Sequence, residues 1–175
     1  MTDLNKISRR KALGNLASLA TISIVPSRVL GLNGQTPPSE ELTRALLGCG
    51  GISNSHLGMP GRILAVCDVD SQRMALREGQ AIKKGNKDVK AYADFREIIA
   101  RDDIDIIHTC TPPHWHAHMA IAAAKAGKHI WGEKPMSRTI GEGLAMKKAI
   151  QKADVKFRIN TWFRFKSNFY GSGVT

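Results

Sequence analysis

Short apolar runs alternate with longer stretches of helical periodicity along most of the chain. The runs at 45–47, 63–67, 89–92, 104–109, 130–131 and 155–159 have the length and composition of strands. Between them, a segment after the first run and the stretches 72–83, 95–100, 116–125 and 140–152 repeat their apolar residues at helical spacing. Strict strand–helix alternation predicts an α/β fold with a doubly wound parallel sheet, a Rossmann fold. The near-continuous apolar character of Ile104, Ile106 and Ile107 fits strands covered on both faces. Thr139 and Glu142, three residues apart at the start of the last helix, predict a capping box and a structural role for that glutamate.

Ahead of this alternation the pattern changes. A basic lead, Ser8-Arg9-Arg10-Lys11, precedes a moderately apolar run at 13–25 and then Pro26, which is the layout of an export signal. The paired arginines and the diluting Gly14, Asn15 and Ser18 resemble a twin-arginine signal, with Ala12 where that motif usually carries Phe. The expected organisation is a leader over 1–31, a Pro-rich linker over 32–41, a nucleotide-binding body over 42–165, and the start of a second α/β domain over 166–175. A twin-arginine leader implies passage of the folded protein through the matching export machinery to the periplasm or beyond.

Net charge is +11. Part of it lies in the leader, and the remaining Lys and Arg are spread over several helices, with Lys83-Lys84 and Lys147-Lys148 the only adjacent pairs after Lys11. That dispersion speaks against nucleic acid and for solvated helix faces. Cys49, Cys67 and Cys110 close three different strands without metal-like spacing and read as small buried residues.

The chemistry-bearing residues cluster at the ends of the predicted strands. Gly48-Cys49-Gly50-Gly51-Ile52-Ser53 carries the first two glycines of a dinucleotide fingerprint, for a tight turn and for close approach of a pyrophosphate to backbone amides. Ser53 replaces the third glycine and is expected to loosen helix–strand packing. Asp68, about 20 residues on, stands where a carboxylate accepts hydrogen bonds from the adenine ribose. It favours NAD over NADP, while Arg73 on the following helix keeps NADP open. The Thr111-Pro112 corner leads into His114, Trp115, His116 and His118. One helical turn cannot aim these imidazoles at one ion, so no metal is expected, and His116 is expected beside the cofactor, with His118 packing. Finally, Ile130-Trp131-Gly132-Glu133-Lys134-Pro135 delivers an ammonium group to a strand end before a turn, which makes Lys134 the candidate catalytic residue.

Taken together, Gly48-x-Gly50, Asp68, Thr111-Pro112 with His116, Ala126-Gly127-Lys128-His129 and Glu133-Lys134-Pro135 resemble the glucose-fructose oxidoreductase and inositol dehydrogenase (Gfo/Idh/MocA) family over most of residues 42–165. The resemblance implies NAD or NADP as cofactor, a sugar or cyclitol as substrate, and a second domain that completes the substrate pocket and builds homo-oligomers. It also implies that Lys134 contacts the reacting carbinol, that Glu133 and Pro135 shape the nicotinamide pocket, and that Asn160 and Arg164 lie near the nicotinamide end. Lys134 would sit in a partly dry site and share the hydroxyl proton as hydride leaves for the nicotinamide.

Three readings stand at this point. One is the N-terminal half of an exported sugar or cyclitol dehydrogenase, inactive or nearly so by itself. Another is a glycosidase of the same fold with an NAD redox cycle, whose known examples tend to lack the lysine. The third is a non-catalytic nucleotide-binding fragment.

Overall fold

The computed structural model describes Pro37 and residues 40–161. Its first strand explains the architecture. Ala45 and Leu47 join one buried apolar cluster and Leu46 the other, so β1 (Thr43–Leu47) is covered on both faces. Around it run β2 (Arg62–Cys67), β3 (Lys90–Tyr92), β4 (Ile106–Thr109), β5 (His129–Gly132) and β6 (Phe157–Ile159). All neighbouring pairs are parallel, in the order β3-β2-β1-β4-β5-β6. The order reverses direction between β1 and β4, which opens a crevice at their C-terminal ends.

Five helices make the crossovers: α1 (Ser53–His56), α2 (Ser71–Lys83), α3 (Phe95–Ile99), α4 (Pro113–Lys125) and α5 (Ile140–Ala153). Their starts follow from local chemistry. Asp70 accepts from the amides of Gln72 and Arg73 at the head of α2, and Asp94 from that of Arg96 at the head of α3. The expected capping box is present on α5, with Thr139 and Glu142 exchanging bonds with each other's backbone amides. Helix α4 begins three residues earlier than periodicity predicts, because Pro113 occupies its first turn, where a missing amide costs nothing.

The segment after the glycine turn departs furthest from expectation. It forms a single turn of helix, α1, rather than a full crossover helix. Gly58, Pro60 and Gly61 follow at once, and Gly61 has φ +94, a backbone that stops a helix. The exposed carbonyls are taken up from the sheet: Arg44, 1% exposed, donates to the carbonyls of His56 (2.6 Å), Met59 (2.5 Å) and Gly61 (3.0 Å).

Candidate nucleotide site at the strand ends

The site residues follow directly from the last residues of β1, β2, β4, β5 and β6, and the backbone ladder holds several of them one step beyond their strands. Gly48 donates to the Cys67 carbonyl (2.8 Å), Cys110 to Leu47 (2.7 Å), Glu133 to Thr109 (3.1 Å) and Asn160 to Gly132 (2.7 Å). The loops that carry the chemistry therefore leave a rigid edge.

Gly48 has φ +95, and a Cβ there would lie 2.6 Å from the carbonyl oxygen of Cys110. No side chain fits, so this glycine makes the tight passage between β1 and the loop after β4. At Gly50 and Gly51 an added Cβ would meet nothing within 4 Å. Their faces are open, as a backbone that receives an anion must be. Ser53, in the place of the third glycine, joins the turn through its side chain. It is fully buried, and its hydroxyl donates to the Gly50 carbonyl at 2.7 Å, closing the turn in place of a third glycine.

Two residues brace this turn from outside. The Asp68 carboxylate accepts from the Cys49 amide (2.6 Å) and the Asp70 amide (3.0 Å), while keeping part of its surface open to the groove. Arg77, buried on α2, donates to the carbonyls of Gly50 (2.9 Å) and Cys49 (3.3 Å) and to the Asn54 side chain (3.0 Å). Nothing in the amphipathic pattern of α2 separates Arg77 from its solvated neighbours. Arg44, Arg77 and Lys128 are thus buried cations, against the expectation that all the basic residues of the body are solvated. The other candidate on α2, Arg73, is exposed and pairs with Asp70 at 3.3 Å.

A groove of about 750 Å³ runs over these elements, lined by Gly48, Gly50, Gly51, Ile52, Asp68, Val69 and Arg73 on one side and by Cys110, Thr111, Pro112, Trp115 and Met119 on the other. Its length spans the β1/β4 switch point. The three cysteines beside it are buried and unpaired with one another, and burial raises the thiols of Cys49 and Cys67 to about 12, which keeps them protonated and inert.

His116 occupies a different place from the one expected. It is 2% exposed, and its ring nitrogens lie 2.7 Å from the Thr111 carbonyl and 2.7 Å from the Pro135 carbonyl. Both ring nitrogens face backbone carbonyls, of which a neutral imidazole donates to one, so the ring lies between the loop after β4 and the loop after β5 instead of facing the groove. His114, Trp115 and His118 are exposed, so His118 is not the packing residue it was expected to be.

Glu133 is buried, and Oε1 accepts from Asn160 Nδ2 (2.5 Å) while lying 2.7 Å from His56 Nε2. The next two residues, Lys134 and Pro135, are exposed, and the bond between them is cis. Lys134 therefore stands at the strand end as the sequence implies, but in the open rather than in a dry pocket. Arg164 lies outside the described residues. Sequence reasoning missed His56 and His108, which meet beneath the site: their Nδ1 atoms are 2.8 Å apart, and His108 stacks on Trp131. The available signal was a histidine inside a buried strand, His108, which has no reason to be there without a partner.

Comparison with known proteins agrees with this geometry. The Gfo/Idh/MocA family, an oxidoreductase family with the NAD-binding Rossmann fold, matches residues 42–161. A glycosyl hydrolase family 109 protein of Shewanella sp. is 37% identical over 124 residues, covering 65% of this chain and 26% of that protein. Among solved structures, the WlbA dehydrogenase of Chromobacterium violaceum, in complex with NADH and UDP-GlcNAcA, superposes with a TM-score of 0.68 at 27% identity, over 74% of this chain and 38% of that one. A levoglucosan dehydrogenase bound to NADH and L-sorbose gives a TM-score of 0.61 at 28% identity, over 70% of this chain and 35% of the other. The chain thus spans well under half the length of each of these proteins.

Proposed function

Because the chain belongs to the Gfo/Idh/MocA family of oxidoreductases with an NAD-binding Rossmann fold, we propose that it is the nucleotide-binding half of a dehydrogenase acting on a sugar or cyclitol hydroxyl. The observation that carries this is the groove at the C-terminal strand ends, lined by the Gly48–Ile52 turn and Asp68, with Lys134 following β5 on the same edge of the sheet. The residues fit a dinucleotide. Gly50 and Gly51 leave room for a pyrophosphate against bare backbone, and Asp68 retains lone pairs for the adenine ribose. The nicotinamide half then falls over β4–β6, toward Glu133, Lys134 and Asn160.

A bound nicotinamide supplies hydride acceptance. The chain supplies position and proton handling. Lys134, exposed at the end of β5, is suited as an ammonium to orient a carbinol oxygen by donating to it and, after releasing a proton to solvent or a second group, to take up the hydroxyl proton as the neutral amine. Thr111 and Pro112 line the groove, with the His116 ring 2.7 Å from the Thr111 carbonyl behind them. Substrate recognition, the homo-oligomer and export through a twin-arginine leader complete the proposal; the leader's share is tested by Arg9→Lys with Arg10→Lys, which should retain the protein in the cytoplasm.

The match to glycosyl hydrolase family 109 supports a second reading, a redox-cycling glycosidase. Release of sugar from an aryl glycoside without net NADH would establish it in place of the first. The direct test of the shared premise is titration of NADH and NADPH into the 175-residue chain with Asp68→Asn alongside. Saturable NADH binding, weakened about tenfold by the substitution with NADPH less affected, is the expected result. Equal indifference of both nucleotides to the change would remove Asp68 from the site.

A further inference from the structure

Four side chains from four different elements meet in the interior behind Lys134: His56 of α1, His108 of β4, Glu133 after β5 and Asn160 after β6. Their exposures are 0, 2, 4 and 9%. A group of polar side chains this deep persists only if each hydrogen bond has a donor and an acceptor. That condition restricts where the protons sit.

Asn160 Nδ2 donates to Glu133 Oε1, so that oxygen is an acceptor. His56 Nε2, 2.7 Å from the same oxygen, must then carry a proton. A neutral His56 with its proton on Nε2 has a lone pair on Nδ1. His108 Nδ1, 2.8 Å away, must therefore donate. The alternative, an imidazolium at His56, would bury a second cation beside Arg44, whose guanidinium binds the His56 carbonyl at 2.6 Å. Burial lowers the pKa of His56, with the Glu133 carboxylate opposing and Arg44 adding to the effect. Burial likewise brings His108 down to about 3, helped by His56 and Arg44. Both rings are neutral near pH 7.

We propose that His108 and His56 are positioning residues that hold Glu133 as a buried carboxylate, through a one-directional run of donors from His108 Nδ1 to His56 and from His56 Nε2 to Glu133. This deepens the dinucleotide reading and rests on it for its consequence. A fixed anion at the nicotinamide end interacts favourably with the positively charged oxidised ring and has no such interaction with the neutral reduced one. The run therefore biases the site toward the oxidised nucleotide. Arg44 on β1 and the Cys110 thiol at the end of β4 are the titratable groups that interact with it.

Two measurements on the 175-residue chain decide this. In the first, ¹⁵N spectra of the imidazoles at neutral pH should show His56 protonated on Nε2 only and His108 on Nδ1 only, with a coupling across the Nδ1–Nδ1 bond. A doubly protonated His56, or a proton on His108 Nε2, overturns the run. In the second, the dissociation constants of NAD⁺ and NADH are compared in Glu133→Gln and His56→Phe. Each ratio serves as its own control for damage to the fold. Both variants should lose about tenfold in preference for NAD⁺. An unchanged ratio in His56→Phe while Glu133→Gln shifts would exclude His56 from the device, and an unchanged ratio in both would exclude the anion. Failure of the unaltered chain to bind either nucleotide would instead overturn the dinucleotide reading and the redox bias with it, while the imidazole spectra still decide the hydrogen-bond run.

Discussion

Gly48 and Gly50 stand two residues apart and do opposite work. A methyl group at Gly48 meets the Cys110 carbonyl at 2.6 Å on a backbone with φ +95, whereas one at Gly50 meets nothing within 4 Å. Gly48→Ala should therefore cost about 3 kcal/mol or more of stability, read as a lower urea midpoint. Gly50→Ala should leave that midpoint within about 0.5 kcal/mol and weaken NADH binding at least tenfold, because its methyl group intrudes only on the ligand's space. Equal stability loss in the two variants would contradict this division. The fingerprint already assigns the first glycine to the tight turn and the second to the pyrophosphate; what it does not give is the facing atom, the Cys110 carbonyl, that makes Gly48 indispensable to the chain.

At the scale of elements, the strands and α2 to α5 were legible because each is set by a local rule, an apolar run or a side-chain cap. Thr139→Ala, which removes the hydroxyl that accepts from the Glu142 amide at 3.2 Å, should destabilise by about 1 kcal/mol without moving nucleotide affinity, checked by the same two titrations. What escaped was decided between elements. The brevity of α1 depends on Arg44 reaching across from β1, and the role of His116 depends on a carbonyl 19 residues away. The place of Lys134 was readable from its strand, but its exposure was not, because that depends on what stands over β5 in space. The buried network in which Glu133 is the acceptor was not legible, since the histidine that meets it is 77 residues away.

For the molecule as a whole, the buried histidines set the response to acid. An unfolded histidine binds its proton near pH 6.5, while His108 in the folded protein does so only at about 3 and His56 at a lowered value. Between those limits the unfolded chain holds more protons, so stability is full above about pH 6.5 and falls as pH drops. His108 alone should cost on the order of 3 kcal/mol by about pH 4. The lowered Asp103 carboxylate, paired with Arg101, adds a further loss in the same direction at still lower pH. Urea midpoints at neutral pH and near pH 4.5 measure the slope, and a flat profile would mean the histidines are accessible to protons. The brace by Arg77 carries a consequence of another kind. Because its guanidinium donates to the carbonyls of Cys49 and Gly50 from α2, the cradle is tied to that helix. Substitutions on the outer face of α2, remote from any ligand, should then tune nucleotide affinity whenever they tilt or fray the helix, which makes its solvent side a handle on the groove.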